Sequence, residues 1–227
     1  MFPGPLGHSL LGRSIGTLWD IKTVNIRDFA KDKHKTVDDT PYGGGSGMVM
    51  RPDVVHDAMT YALSFYECNS KPHIVFMSPR GRTFTQSFAK ELMNKDNCGG
   101  FIFLCGRYEG IDQRVIDHWI KNHGMIEISV GDFVVFGGET PAMIVSEACL
   151  RYLDGIMHNS ESVQEESFSL DFLEYSHYTK PICWNQENVP SVLLSGNHKE
   201  IAKWRREQSS QITMERRSDL LISRQSR

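Results

Sequence analysis

Three short stretches of this 227-residue sequence combine glycine with polar or charged side chains just where predicted strands end. They are residues 78–82 (Ser-Pro-Arg-Gly-Arg), residues 106–110 (Gly-Arg-Tyr-Glu-Gly), and Gly131 with Gly137 and Gly138. Glycine has no Cβ, so its backbone can approach a ligand closely or take a positive φ. In open α/β sheets, ligands bind outside the carboxyl ends of the strands. Three such loops after neighbouring strands therefore predict one composite pocket. Absences narrow what it holds. No GxGxxG follows a strand and no GxxxxGK precedes Ser or Thr, so the dinucleotide and P-loop phosphate cradles are missing. There is no GxSxG elbow and no HExxH. A further glycine cluster at 43–47 lies in a long loop with Asp38 and Asp39, and loops of that length are usually functional or disordered.

The elements that must position these loops follow from hydrophobic periodicity. A strand is predicted over 22–26. Pro52 opens a helix whose Val55, Met59, Ala62 and Tyr66 keep the helical period. Next come a strand over 73–77, a helix capped by Thr85 with Phe88 and Leu92 inward, and a buried strand over 101–105. A helix over 111–120, a strand over 125–130, an apolar run at 133–136 and a helix over 139–153 complete the pattern. Strands alternating with helices predict an α/β domain with a largely parallel sheet. Beyond 155 the chain turns rich in Ser, Glu, Gln and Asn, which reads as a linker over 156–169. The remainder, 170–227, reads as a small helical domain. Asn197 is placed to cap a helix carrying Ile201 and Trp204, and a last basic helix carries Met214, Leu220 and Leu221.

Composition bounds the rest. Hydrophobic residues at 40% and charged residues at 23% suit a globular protein and exclude wholesale disorder. The strongest apolar runs are four or five residues long, against roughly 20 for a membrane span. The opening MFPGPLGHSLLGRS does not read as a signal peptide. Five scattered cysteines with no CxxC pair suit reduced thiols in a cytoplasm. The net charge of −3 hides an asymmetry: six acids and no Lys or Arg over 154–174, then eight Lys/Arg against four acids over 199–227. A local basic face can bind phosphates despite an acidic total. The same charges also suit a solvated helical face.

Four strings are recognisable together: TVDDTPYGGGSGM at 36–48, CGRYEGID at 105–112, GDFVVFGGETPAM at 131–143 and LLSGNH at 193–198. In order and over nearly the whole chain, they resemble the bacterial tRNA (guanine-N1)-methyltransferases of the TrmD type. The resemblance implies a SPOUT fold, an α/β domain with a parallel sheet whose chain is threaded as a deep trefoil knot. It implies S-adenosylmethionine (AdoMet) as methyl donor, S-adenosylhomocysteine as product, and magnesium as a family expectation. It further implies an obligate homodimer with active sites at the subunit interface. The product would be N1-methylguanosine immediately 3′ of the tRNA anticodon, position 37.

Carried over residue by residue, the resemblance assigns the AdoMet pocket to Ser78 and Pro79, then Gly106, Tyr108, Glu109 and Gly110. Ser129, Val130, Gly131, Asp132, Phe133, Val134 and Val135 follow, with Gly137, Gly138 and Pro141. Arg151 matches the family's catalytic arginine, which would stabilise negative charge developing toward guanine O6. Glu166, followed by Ser167, takes the place of the general base. Asp38 and Arg13 match RNA-side positions, and Lys203, Arg205, Arg206, Arg216 and Arg217 are candidates for phosphate contacts.

Two departures stand out. Family members begin with a strand before the Phe-Pro pair, whereas this sequence opens Met1-Phe2-Pro3, so that strand is expected to be missing. At the base position the common family pattern is Asp-Ser-Phe, and this chain reads Glu166-Ser167-Phe168. The alternatives are a SPOUT ribose 2′-O-methyltransferase, which lacks this combination of motifs, and an RNA-binding module without catalysis.

Overall fold

The computed structural model describes residues 1–67, 71–94, 99–157, 166–168 and 171–225, the last four by backbone alone. The chain divides into two compact units, Met1–His158 and Asn159–Arg227.

In the first unit a 3-10 turn (Gly4–Gly7) leads into α1 (Ser9–Ser14), followed by a second 3-10 turn (Ile26–Phe29). Then come β1 (Asp38–Asp39), β2 (Val49–Met50), α2 (Pro52–Leu63), β3 (His73–Thr83) and α3 (Gln86–Leu92). The unit continues with β4 (Phe101–Cys105), α4 (Gln113–His123), β5 (Ile126–Ser129) and α5 (Glu139–Leu150). Strands β4, β3 and β5 form a three-stranded sheet in that order, every pair parallel. A parallel sheet is covered on both faces, and the side-chain alternation of a strand sorts its residues between them. Ile74, Phe76, Ile102 and Leu104 are buried with Val55 and Met59 of α2 and Val115, Ile116 and Trp119 of α4. Val75, Met77 and Ile128 are buried on the other face with Phe88 and Leu92 of α3 and Ala142, Val145 and Cys149 of α5.

Local chemistry explains the helix ends. Thr85 Oγ1 accepts from the Phe88 N–H (3.2 Å) to start α3, as a helix N-cap does. Asp112 Oδ1 accepts from the Arg114 N–H (2.9 Å), so α4 starts at Gln113, two residues later than periodicity predicts. Gly124, at φ 66°, ends that helix.

The structure corrects several expectations. No strand forms over 22–26; Asn25 Oδ1 accepts from Arg27 N–H (3.2 Å) and starts a 3-10 turn instead. The predicted loop 78–82 lies inside β3. Met77 and Arg82 both pair with Ile128, and the residues between them form a bulge. Pro79 and Gly81 carry the chemistry of a turn, and here that chemistry shapes a strand. Helix α5 stops at Leu150, and the core runs past the predicted start of the linker, because Ile156 is buried with Leu6, Leu11 and Met143.

The second unit contains the hairpin β6 (Cys183–Trp184) and β7 (Glu187–Asn188), then α6 (Ser191–Leu194), α7 (His198–Arg216) and α8 (Ser218–Gln225). The hairpin was not foreseen; its two-residue turn uses positive φ at Asn185 (52°) and Gln186 (67°), the geometry that matches strand twist. Asn197 Oδ1 accepts from the N–H groups of Lys199 (3.2 Å) and Glu200 (3.4 Å), as its position suggested. Buried Thr213 ties α7 to the preceding segment: its Oγ1 accepts from Leu173 N–H (2.8 Å) and donates to the Ser209 carbonyl (2.7 Å).

A Cβ at Gly81 would overlap the backbone of Glu127 and Ile128 in β5. Gly81→Ala should therefore lower stability by about 1–3 kcal/mol, the cost of forcing atoms into a packed interior. Urea denaturation of the purified variant measures this, and a wild-type midpoint contradicts it.

Candidate active site

Strands β4 and β5 flank β3 and run parallel to it, so the loops that follow them leave at one edge of the sheet. There the two loops touch. The Gly138 N–H donates to the Gly106 carbonyl (3.0 Å), and a Cβ on Gly138 would lie 2.8 Å from Cys105 Cα. Arg107 Nε donates to Glu139 Oε1 across the same junction (2.9 Å). A cavity of about 740 Å³ opens beside it, lined by Arg107, Tyr108, Glu109, Val134, Val135 and Phe136. That volume suits a ligand of cofactor size.

Four of these lining residues, Tyr108, Glu109, Val134 and Val135, are among the expected ligand contacts; Arg107 and Phe136 are not. Gly106, Gly137 and Gly138 sit at the loop junction; a Cβ would collide with Glu139 and Arg107 at Gly137 and with Cys105 at Gly138, but would make only ordinary contacts at Gly106. Tyr108 takes φ 58° and Gly110 φ 130°; a non-glycine residue at positive φ is a form of backbone strain that concentrates at functional sites. Buried Ser129 closes the base of the second loop, its Oγ donating to the Gly131 carbonyl (3.1 Å) and accepting from the Gly131 N–H (3.2 Å). Val130 is half-buried, Pro141 is buried in the first turn of α5, and Asp132 is exposed. The run from Phe133 to Phe136 is open to solvent, with Val134 85% and Phe136 98% exposed. Ser78 and Pro79 are not in the cavity lining. Ser78 Oγ accepts from Arg80 N–H (3.2 Å), and Arg80 Nη2 donates to Gln113 Oε1 (3.0 Å), which ties their segment to the start of α4.

The glycine-rich loop is attached to the same place. The Met50 N–H donates to the Gly110 carbonyl (2.9 Å), Glu109 N–H to the Met48 carbonyl (3.0 Å) and Asp112 N–H to the Met50 carbonyl (3.1 Å). Asp38 pairs with Met50 across β1 and β2, so it stands one strand away from the 106–112 loop. Gly47 lies against Glu109: a Cβ there would collide with the Glu109 side chain, its Oε1 being 2.6 Å away. This role for Gly47 was not foreseen, although its glycine cluster was.

Arg151 caps the far end of α5, its N–H donating to the Glu147 carbonyl (3.4 Å). Gly138 caps the near end, and a 12-residue helix is about 18 Å long. Within one chain, Arg151 and the cavity junction thus stand at opposite ends of one helix. Arg13 is exposed on α1, whose Leu11 is buried in a cluster that also takes in Leu150 and Leu153.

Glu166 belongs to the second unit, where Ser167 Oγ accepts from the Glu174 N–H (3.0 Å) and Phe168 N–H donates to the Phe172 carbonyl (2.8 Å). Glu165, its neighbour in sequence, lies outside the described residues. Of the basic candidates, Arg205 is half-buried with its guanidinium 4.8 Å from the Tyr175 ring centre. Arg217 is paired with Asp219 at 2.7 Å, which holds that carboxyl below its ordinary range. Lys203 is 4.0 Å from Glu207, and Arg206 and Arg216 are exposed on α7. Among the described residues, no group of three or more His, Cys, Asp or Glu is arranged to hold a metal ion, and no helix is long and apolar enough to cross a membrane.

The family model of tRNA (Guanine-1)-methyltransferase TrmD matches residues 1–223. The chain belongs to this family. It is 50% identical over 224 residues to a tRNA (guanine-N(1)-)-methyltransferase of Wolbachia pipientis subsp. Culex pipiens (strain wPip), covering 97% of this chain and 92% of that protein. A tRNA (guanine-N(1)-)-methyltransferase of Rhodospirillum rubrum is 47% identical over 221 residues, covering 97% and 87%, and one of Alkaliphilus metalliredigens is 49% identical over 222 residues with the same coverages. In this TrmD-family chain, CGRYEGID and GDFVVFGGETPAM supply the two loops that meet, and TVDDTPYGGGSGM supplies the segment attached to the first of them.

Two measurements probe the loop junction. Gly138→Ala should cost about 1–3 kcal/mol by crowding Cys105, whereas Gly106→Ala, whose Cβ would make ordinary 3.5 Å contacts, should change stability by less than about 0.5 kcal/mol; equal denaturation midpoints would refute the packing role. The second concerns Cys105, whose thiol is pushed from 9.0 up to about 12, first by burial and then by the Glu139 charge. The unfolded thiol ionises before the folded one, so this contribution is intact below pH 9 and lost as pH rises toward 12. Between pH 9 and 11, Cys105→Ala should lose stability less steeply than wild type in urea melts, and parallel losses would contradict it.

Proposed function

We propose that this chain transfers the methyl group of S-adenosylmethionine to N1 of the guanosine immediately 3′ of the anticodon in tRNA, position 37. The match of the TrmD family model over residues 1–223 carries the reading. Membership makes the chain a methyltransferase that acts on guanine N1 in tRNA; the donor, the position and the residue roles are our own assignment. The cavity fits the donor: it has the right size, an apolar wall at Val134, Val135 and Phe136, and the Glu109 carboxylate for a cationic ligand. When bound, S-adenosylmethionine supplies an electrophilic methyl group on sulfonium.

The chain's own groups do the rest. Guanine N1 carries a proton that must leave as the methyl arrives, and Glu166 accepts it. As the proton leaves, negative charge moves toward O6, and the Arg151 guanidinium stabilises it. Unpaired anticodon-loop bases can be splayed out and read by their edges; Asp38, Arg13 and Ser167 take that part, while Lys203, Arg206 and Arg216 hold phosphates. Arg205 and Arg217 reach phosphate only by leaving Tyr175 and Asp219.

The proposal includes the SPOUT knot and a homodimer with active sites at the interface. Two observations support the dimer. Arg151 and the cavity junction are a helix length apart, and Phe133 to Phe136 present an apolar surface to solvent. A cytoplasmic location goes with a tRNA substrate and with Cys105 and Cys183 as free thiols.

The test is labelled methyl transfer to an unmodified tRNA transcript, with the modified nucleoside identified and a chelator arm to read any magnesium requirement. N1-methylguanosine at position 37 is expected; a ribose-methylated product or no turnover overturns the reading. In single-turnover assays Glu166→Gln should lose roughly 10²–10⁴-fold in rate, the usual worth of a positioned base, while tRNA binding persists and Glu166→Asp stays active. If Glu166→Gln keeps its rate, the proton leaves by another route.

A further inference from the structure

Gly137 is a bare Cα with two charged side chains laid across it. An ideal Cβ there would lie 2.6 Å from Glu139 Oε2, 2.7 Å from Arg107 Nε and 2.8 Å from Arg107 Cδ. The ion pair it accommodates (2.9 Å) joins the loop after β4 to the first turn of α5. A guanidinium keeps its proton at any ordinary pH, and a carboxylate in the first turn of a helix is favoured by the helix dipole. With side chains 38% and 21% exposed, the pair is better shielded than the fully solvated pairs that contribute little.

Among the described residues, the surroundings give this pair a position no other ion pair in the first unit shares. Arg107 lines the cavity beside Tyr108 and Glu109. Its backbone N–H points at Met50 Sδ (3.4 Å), so the residue is anchored on the strand that carries the glycine-rich loop. Among the described residues, Glu139 is the only group hydrogen-bonded to its guanidinium. Glu139 in turn follows Gly138, whose N–H bonds the carbonyl of Gly106, the residue before Arg107. One backbone hydrogen bond and one ion pair, side by side, therefore hold the two walls of the cavity together.

The geometry points to Arg107 and Glu139 as a clasp that sets the spacing of the two loops around the methyl donor. Both are positioning residues, acting on the loops and not on the reacting atoms. The inference rests on placing the donor in this cavity. A clasp of this kind governs how well the donor is held and leaves the transfer step nearly untouched. Opening it weakens donor binding and raises the KM for S-adenosylmethionine, while kcat at saturating donor and the KM for tRNA stay near wild type.

The experiment compares Glu139→Gln, Arg107→Met and the double variant with the full-length wild-type protein. S-adenosylhomocysteine is titrated calorimetrically, steady-state constants are measured for both substrates, and thermal melting checks folding. Each single change should weaken product binding about tenfold or more, a size typical of coupling between residues in contact, and raise the donor KM in parallel. The double variant should bind no worse than the weaker single one, because the pair can be lost only once. Wild-type affinity in the single variants, losses that multiply in the double, or a fall in kcat with unchanged donor KM would each overturn the clasp. Should Arg107→Met fail to fold, the near-isosteric Glu139→Gln decides alone through its KM and kcat. A crystal structure of the wild-type protein with S-adenosylhomocysteine separates the two levels. Product outside the cavity overturns the site reading and the clasp with it, whereas product inside the cavity with unaffected variants overturns the clasp alone.

Discussion

The close backbone approach of Gly138 to Cys105 and Gly106 is the constraint on which the candidate site depends. Strands β4 and β5 are not neighbours; β3 lies between them, and at about 4.8 Å per strand step they stand nearly 10 Å apart. Their loops can meet only by reaching across the end of the central strand. The central strand makes room, because the bulge between Met77 and Arg82 takes its continuation along β5. Gly81 and Gly138 are therefore two halves of one arrangement. The first lets β3 press against the backbone of β5, and the second lets the loop after β5 press against the end of β4.

Around that junction, backbone groups set most of the geometry. The Gly106 carbonyl, the Gly110 carbonyl and the Glu109 and Asp112 N–H groups all have backbone partners in the 48–50 segment or at Gly138. Such a loop is held in place whatever its side chains do, which leaves Tyr108 and Glu109 exposed and available. The positive φ of Tyr108 is sustained by the same network. Where side chains do contribute, the charges stay local: Glu139 pairs with Arg107 and also raises the proton affinity of the buried Cys105 thiol.

The two proposed catalytic side chains have a different standing. Arg151 is fixed by the length of α5, since a helix that begins at the junction must carry its C-cap about 18 Å away. Glu166 sits beyond the first unit altogether. A site that needs the cavity and the arginine together is not completed along one α5 helix, and the dimer we propose would supply the second copy. The exposed apolar run from Phe133 to Phe136 suits the same arrangement, because four consecutive apolar residues seldom stay in water without a covering surface.

Much of the fold was legible in the sequence, for physical reasons that can be named. Strand β4 is a continuous apolar run, β5 and the first half of β3 alternate between two buried faces, and Thr85 and Asn197 announce their helices through short-range hydrogen bonds. These signals are local, so the sequence by itself determines them. The motif strings likewise identify the family, because four long strings in order constrain the chain far more than composition does. The tertiary structure decided what depends on distant atoms. Ser-Pro-Arg-Gly-Arg looks like a turn until β5 offers it a partner, and the strand expected over 22–26 has no partner and so does not form. The space a Cβ would need at Gly137 and Gly138 is taken by Arg107, Glu139 and Cys105, a closeness that no local pattern announces. Local preference writes the elements; which backbone passes within 3 Å of which is settled only when the chain packs.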